Sequence, residues 1–141
     1  MILSQSCQIA IKSLAHICSS DAGCVNVKNL AEITGENAHT IAKVLQSLVK
    51  RGFLSSATGP HGGFYLTKDQ LQIQLSEIVQ SIEGVNVFGK CILGLDDCSA
   101  KHPCPVHNKY APLRKDIAKI FEEIPLTQLA RVIENGDVFL K

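Results

Sequence analysis

The chain has almost no surplus of either charge: 14 Lys and Arg stand against 13 Asp and Glu, for a formal charge of +1. That balance excludes a polybasic tail and a wholly basic nucleic-acid coat, while leaving room for a local basic patch. No apolar run approaches the about 20 residues that span a bilayer, and the opening Met1-Ile2-Leu3-Ser4-Gln5-Ser6 has neither the basic region nor the apolar core of a secretory signal. A cytoplasmic location without membrane attachment is therefore expected. Also missing are a nucleophile with a positioned base, a phosphate-cradling glycine loop and a paired-carboxylate site, so an enzyme is not expected.

What the chain does have is a core and an excess of cysteine. Of 141 residues, 45% are hydrophobic, enough for one domain with a sizeable interior. The six cysteines form two groups. Cys7, Cys18 and Cys24 lie within or just after an apolar N-terminal segment without ligand-like spacing, and read as small core hydrophobes. Cys91, Cys98 and Cys104 lie in a Gly-, Pro- and Asp-rich stretch with no helical or strand period, which reads as a loop. In a reducing compartment, clustered cysteines point to metal binding rather than to disulfides.

Around that loop the pattern is mainly helical. Ser4 caps a helix to about Cys18, with Cys7, Ala10, Ile11, Leu14, Ala15 and Cys18 on one face. A short segment from Val27 to Ile33 turns Val27, Leu30, Ala31 and Ile33 inward, and Thr34 to Asn37 form a turn with a candidate N-cap. The next helix, about Ala38 to Arg51, buries Ile41, Val44, Leu45, Leu48 and Val49 and leaves His39, Thr40, Lys43, Gln46, Ser47 and Lys50 outward, with Gly52 as its stop.

A hairpin follows, Phe53–Ala57 and Gly63–Leu66, with Thr58-Gly59-Pro60-His61-Gly62 at its tip. Two helices, a tight turn and a hairpin make a winged helix-turn-helix, in which the second helix enters the major groove and the wing reaches the neighbouring backbone and groove. Residues 1–66 carry five Lys and Arg against three Asp and Glu, and the remainder nine against ten, a mild bias toward DNA in the winged half. Candidate contacts to double-stranded operator DNA are Lys28, His39, Thr40 and Lys43, with Thr58 and His61 on the wing.

Ser76 is expected to cap a helix to about Glu83, closed by Gly84. Past the cysteine loop, Pro112 is expected to open a long helix on which Tyr110, Leu113, Ile117, Ile120, Phe121 and Ile124 recur at helical spacing. Such a stripe beyond a complete winged domain has little left to cover it, so a dimerisation helix and a homodimer are expected. Thr127 to Glu134 reads as a short last helix. The expected architecture is mainly α with one small β-hairpin: a winged helix-turn-helix over 1–84, a cysteine loop over 85–109, and dimerisation and C-terminal helices over 110–141.

The loop chemistry stands on its residue types. Thiolates suit iron-sulfur clusters and zinc, and neutral imidazole suits both. Three cysteines with His107 match a closed zinc site or a 2Fe-2S cluster of mixed ligation. The gaps of six and five residues between the cysteines lack paired zinc knuckles and favour a multi-atom cluster, with zinc as the alternative and a vacant or thiol-only loop as the third reading. His102 is a second histidine in reach, and Pro103 and Pro105 stiffen the backbone about Cys104.

Leu3-Ser4, the helix-turn-helix, the wing Gly59-Pro60-His61-Gly62-Gly63-Phe64, the helix Leu75–Gly84 and three spaced cysteines, in that order, resemble the IscR/NsrR-type winged-helix regulators, the Rrf family. The resemblance implies a dimeric bacterial transcription regulator, with an iron-sulfur cluster on Cys91, Cys98 and Cys104. His107 stands where the IscR branch completes a 2Fe-2S site. The NsrR branch holds a 4Fe-4S cluster with a carboxylate from the first helix of the partner subunit; Gln8, beside Cys7, stands at that place here, which favours 2Fe-2S over 4Fe-4S. One residue more separates Cys91 from Cys98 than in the IscR pattern, and the wing carries Thr58 and His61 where the family often has arginine, implying a different operator. Two other classes stay open: a cluster-free or zinc-bound regulator under a small molecule or protein partner, and a redox or electron-carrier protein.

Overall fold

The computed structural model describes residues 3–136 and Leu140. The Ser4 hydroxyl oxygen accepts the Cys7 amide at 3.2 Å and starts α1 (Gln5–Ser19). This helix is the axis of the core. Cys7, Ile9, Ala10, Ser13, Leu14, Ala15 and Ile17 are all buried, a wider surface than the single stripe expected, because the helices Ala38–Lys50, Leu75–Glu83 and Leu126–Glu134 pack around it. Ile9, Ser13 and Ile17 are the additions, whereas Ile11 and Cys18 are only half-buried.

α2 (Val27–Thr34) and α3 (Ala38–Lys50) form the helix-turn-helix. Asn26 caps α2 through its side-chain oxygen, 2.8 Å from the Asn29 amide, and Asn37 caps α3 by accepting the amides of His39 at 2.9 Å and Thr40 at 3.1 Å. Leu30 is buried as expected, but Ile33 points out and Thr34 takes the inward place, its hydroxyl donating to the Leu30 carbonyl at 2.7 Å. α3 ends as its glycine requires. Gly52 adopts φ 82°, its amide bonds the Val49 carbonyl, and the Phe53 amide reaches back to Leu48.

β1 (Ser55–Ala57) and β2 (Gly63–Tyr65) pair antiparallel with Ser56 opposite Phe64. A third segment joins them. Val25 exchanges both backbone bonds with Phe64, at 2.8 and 2.9 Å, lacing the approach to α2 onto the wing. Gly63 is obligatory there: it has φ 149°, and a Cβ would sit 2.6 Å from the Val25 carbonyl oxygen.

α4 (Leu75–Glu83) starts one residue before the expected cap. Ser76 is buried inside the helix, and the Glu77 carboxylate accepts the Gln74 amide at 2.9 Å instead. α5 (His107–Glu123) likewise starts earlier than expected, so Pro112 lies inside it rather than at its opening. The proline removes one amide donor near the start of a helix of 17 residues that continues on both sides. α6 (Leu126–Glu134) packs on α1 through Leu126 and Ala130, and two backbone bonds, Leu75 to Ile124 and Leu126 to Ile73, tie its start to that of α4.

One apolar cluster fills the winged domain around Leu14, Leu30, Ile41, Leu45, Ile78 and Leu126. A smaller one, centred on Cys7, Val79 and Phe88 and flanked by Phe121, joins α1 and α4 to α5. The architecture is mostly helical with one two-stranded antiparallel hairpin. Among the described residues no helix is long and apolar enough to cross a membrane.

Candidate functional site

Two candidate sites lie on this fold, the outer side of α3 with the wing, and a cysteine centre. On the first, His39 and Lys43 are exposed and Thr40 is half-buried on the outer side of α3, while Lys28 is exposed on α2. Thr58 and His61 are exposed at the hairpin tip. A groove of about 400 Å³ runs between α3 and the wing, and Gln46, Lys50, Ser56 and Thr58 line it. Thr58 thus shares a surface with α3. Lys28, His39, Thr40, Lys43 and His61 do not line that groove, and Ser56 was not among the residues singled out from the sequence. The turn before α3 is held from below by an ion pair, Lys12 Nζ to Glu36 Oε1 at 2.8 Å.

The cysteine centre hangs between a short 3-10 turn, Val87–Gly89, and the start of α5. Two of its four candidate ligands meet. Cys98 Sγ lies 3.4 Å from His107 Nδ1, and Cys104 is near enough to Cys91 to favour its thiolate. The loop backbone builds this arrangement: the Cys98 amide bonds the Gly89 carbonyl at 3.1 Å, and the His107 amide bonds the Cys104 carbonyl at 3.0 Å. His107 is the first residue of α5, so a rigid element sets its position. His102 is exposed.

The electrostatics separate the two cysteine groups. The Leu93 backbone bond, aided by Cys104 and Leu95 and opposed by burial, holds the Cys91 thiol below its ordinary range. Backbone donors aimed at a sulfur favour the thiolate, the form that binds metal. Cys7 is the reverse case: burial, then the charge and hydrogen bond of Glu83, push its thiol up to about 12. Burial, followed by Glu134, raises the Cys18 thiol as well. Cys7 is fully buried, while Cys18 and Cys24 are half-buried. Gln8, beside Cys7, donates to the Leu3 carbonyl at 2.8 Å and so braces its own helix start.

Among the described residues no three His, Cys, Asp or Glu side chains converge closely enough for a single metal ion. The soft donor set of three thiols and an imidazole fits an iron-sulfur cluster by its chemistry.

Sequence reasoning missed the residues beneath this centre. Phe88 is buried with its ring 5.5 Å from that of Phe121, and Arg114 Nη1 donates to the Phe88 carbonyl at 2.8 Å. Neither residue has a local signature, since each acts through a partner remote in sequence. On α5 itself no residue is buried, and Leu113 and Ile120 are 58% and 54% exposed.

A family model described as Rrf2, iron-dependent transcriptional regulator, matches residues 3–132. The chain belongs to the Rrf2 family. An HTH-type transcriptional regulator of Aquifex aeolicus is 30% identical over 137 residues, covering 96% of this chain and 95% of its own. The regulator IscR of Escherichia coli O1:K1 / APEC is 27% identical over 120 residues, covering 85% and 74%. Among solved structures, CymR, described as the global cysteine regulator of B. subtilis, superposes with a TM-score of 0.76 at 17% identity, over 94% of this chain and 98% of that one. IscR of T. potens gives 0.67 at 19% identity, over 98% and 92%. The Rrf2 assignment makes this chain a transcriptional regulator rather than an enzyme, with DNA as its partner.

Proposed function

We propose that this Rrf2 regulator is a homodimer that binds double-stranded operator DNA and holds an iron-sulfur cluster, 2Fe-2S rather than 4Fe-4S, on Cys91, Cys98, Cys104 and His107. The observation that carries the reading is the meeting of Cys98 with His107 at 3.4 Å, in the loop that also holds Cys91 and Cys104. Residues 1–84 read DNA, 85–109 hold the cluster, and 110–141 dimerise, with α5 supplying His107 from its first turn. Lys28, His39, Thr40 and Lys43 contact the groove and its phosphates, and Thr58 and His61 contact DNA from the wing.

When bound, the cluster supplies a redox-active centre and a change of local charge. The protein residues do the rest. The loop joins the winged domain to α5, and the Phe88 carbonyl gripped by Arg114 makes that joint stiff. A coupling of about 1–3 kcal/mol, usual for allosteric proteins, shifts operator affinity about 5- to 150-fold. The relatives named IscR support the reading, as does the description of the family as iron-dependent.

Anaerobic purification followed by a visible spectrum and iron, sulfide and zinc analysis tests it. Brown protein with iron and sulfide is the expected result, and operator affinity should differ between loaded and metal-free protein. Colourless protein with stoichiometric zinc would overturn it. The absence of a three-ligand convergence among the described residues favours a second reading, a cluster-free regulator under a small molecule or protein partner. That protein would bind its operator while colourless and metal-free.

A further inference from the structure

The start of α1, the outer side of α3 and the end of α4 enclose a cavity of about 270 Å³ lined by Ser6, Lys43, Val44, Ser47, Arg51 and Ile82. Val44 is buried and Ile82 half-buried, so its floor is apolar, while Ser6, Lys43 and Arg51 are exposed on its rim. Among the described residues the one ion pair is Lys12–Glu36, so neither Lys43 nor Arg51 has a carboxylate partner. Glu83, which follows Ile82, already accepts the Ser4 amide at 2.7 Å. Two unpaired cations and two hydroxyls drawn from two helices and one helix end thus face a single concavity beside the reading face.

A cation pair with hydroxyl donors over an apolar floor suits a phosphate oxyanion. Arginine offers its planar fork to two oxygens, lysine acts as a point charge, and serine hydroxyls complete the contacts. We infer that this cavity seats a phosphodiester of the DNA backbone next to the groove that α3 reads, with Arg51 and Ser6 as positioning residues. The inference rests on the DNA-binding reading above. Phosphate contacts fix register without carrying sequence information, so this one would set the depth and angle at which His39 approaches the bases.

The test uses anaerobically purified full-length protein and two labelled duplexes of unrelated sequence, titrated across about 50 to 200 mM salt. Arg51→Gln should lower the slope of log affinity against log salt by about 0.9, equally on both duplexes, while Arg51→Lys keeps the wild-type slope. Ser6→Ala should weaken binding with the slope unchanged, and its effect combined with Arg51→Gln should be less than additive, as for two groups on one phosphate. Thermal unfolding of each variant confirms that it is folded. A wild-type slope for Arg51→Gln, or strict additivity with Ser6→Ala, would overturn the proposal. So would a Tm raised by inorganic phosphate in wild type but not in Arg51→Gln, with the DNA slope unmoved, since the cavity would then hold free phosphate. Failure of wild-type protein to bind either duplex would remove the DNA-binding reading as well, an outcome distinct from failure at Arg51 alone.

Discussion

Cys98 Sγ and His107 Nδ1 lie 3.4 Å apart although one residue belongs to a loop and the other opens a helix of 17 residues. The imidazole is therefore placed by a rigid element, and the thiol is brought to it by the bond from the Cys98 amide to the Gly89 carbonyl.

This predicts unequal effects of ligand replacement. Cys91→Ala, Cys98→Ala and Cys104→Ala should each purify colourless, because a lost thiolate is a lost anionic ligand. His107→Cys should retain iron and sulfide with a shifted visible spectrum and a lower reduction potential, since exchange of imidazole for thiolate lowers the potential of such clusters. Anaerobic spectra and redox titration check both. An unchanged spectrum in His107→Cys and in His107→Ala would remove His107 from the ligand set.

The buried Cys7 thiol predicts an alkaline loss of stability. In the unfolded chain the thiol ionises near 9.0, whereas in the folded protein it is held protonated to about 12. Below the first value both states carry the proton and the group adds no pH dependence; between the two the unfolded chain alone releases it, so stability falls as pH rises. Denaturant unfolding of the reduced protein at several pH values should show that decline, shallower in Cys7→Ala. At neutral pH, Cys7 should resist thiol alkylation while the protein stays folded.

The exposed Leu113 and Ile120 on α5 predict that Leu113→Asp with Ile120→Asp gives a folded monomer. Sedimentation velocity reads the change directly. Operator affinity should fall at least tenfold in the same protein, because a single reader loses the second half-site.

Lys43→Ala should weaken binding to every duplex and reduce the salt slope by about 0.9, with no change in unfolding midpoint. Asn37→Ala acts on the same helix by another route. Its side-chain oxygen accepts two amides of α3, so its loss should cost about 1 kcal/mol of stability, read from denaturant unfolding.

Features of the fold carried by neighbouring residues were legible in the sequence. Ser4, Asn37 and Gly52 cap or stop helices through bonds within a few residues, and each does so here. Two local rules misled. Serine is a favoured cap, yet at Ser76 burial won and the Glu77 carboxylate accepts the Gln74 amide; proline favours a helix opening, yet α5 runs through Pro112. What stayed hidden is non-local: the Val25–Phe64 pairing, the grip of Arg114 on Phe88, and Ile9 and Ile17 buried by helices more distant in the chain. In the candidate centre the spacing exposed the ligand types, but the meeting of Cys98 with His107 needed three dimensions.

The backbone seam between Val25 and Phe64, locked by Gly63, ties the approach to α2 directly to the wing, so the helix-turn-helix and the hairpin are joined by main chain as well as by core packing. That seam resists a shift of the wing against the helix-turn-helix. In the proposed homodimer a signal would then act on how far apart two such units stand, and the expected outcome is a constant footprint within one half-site with a changed tolerance for the number of base pairs between half-sites.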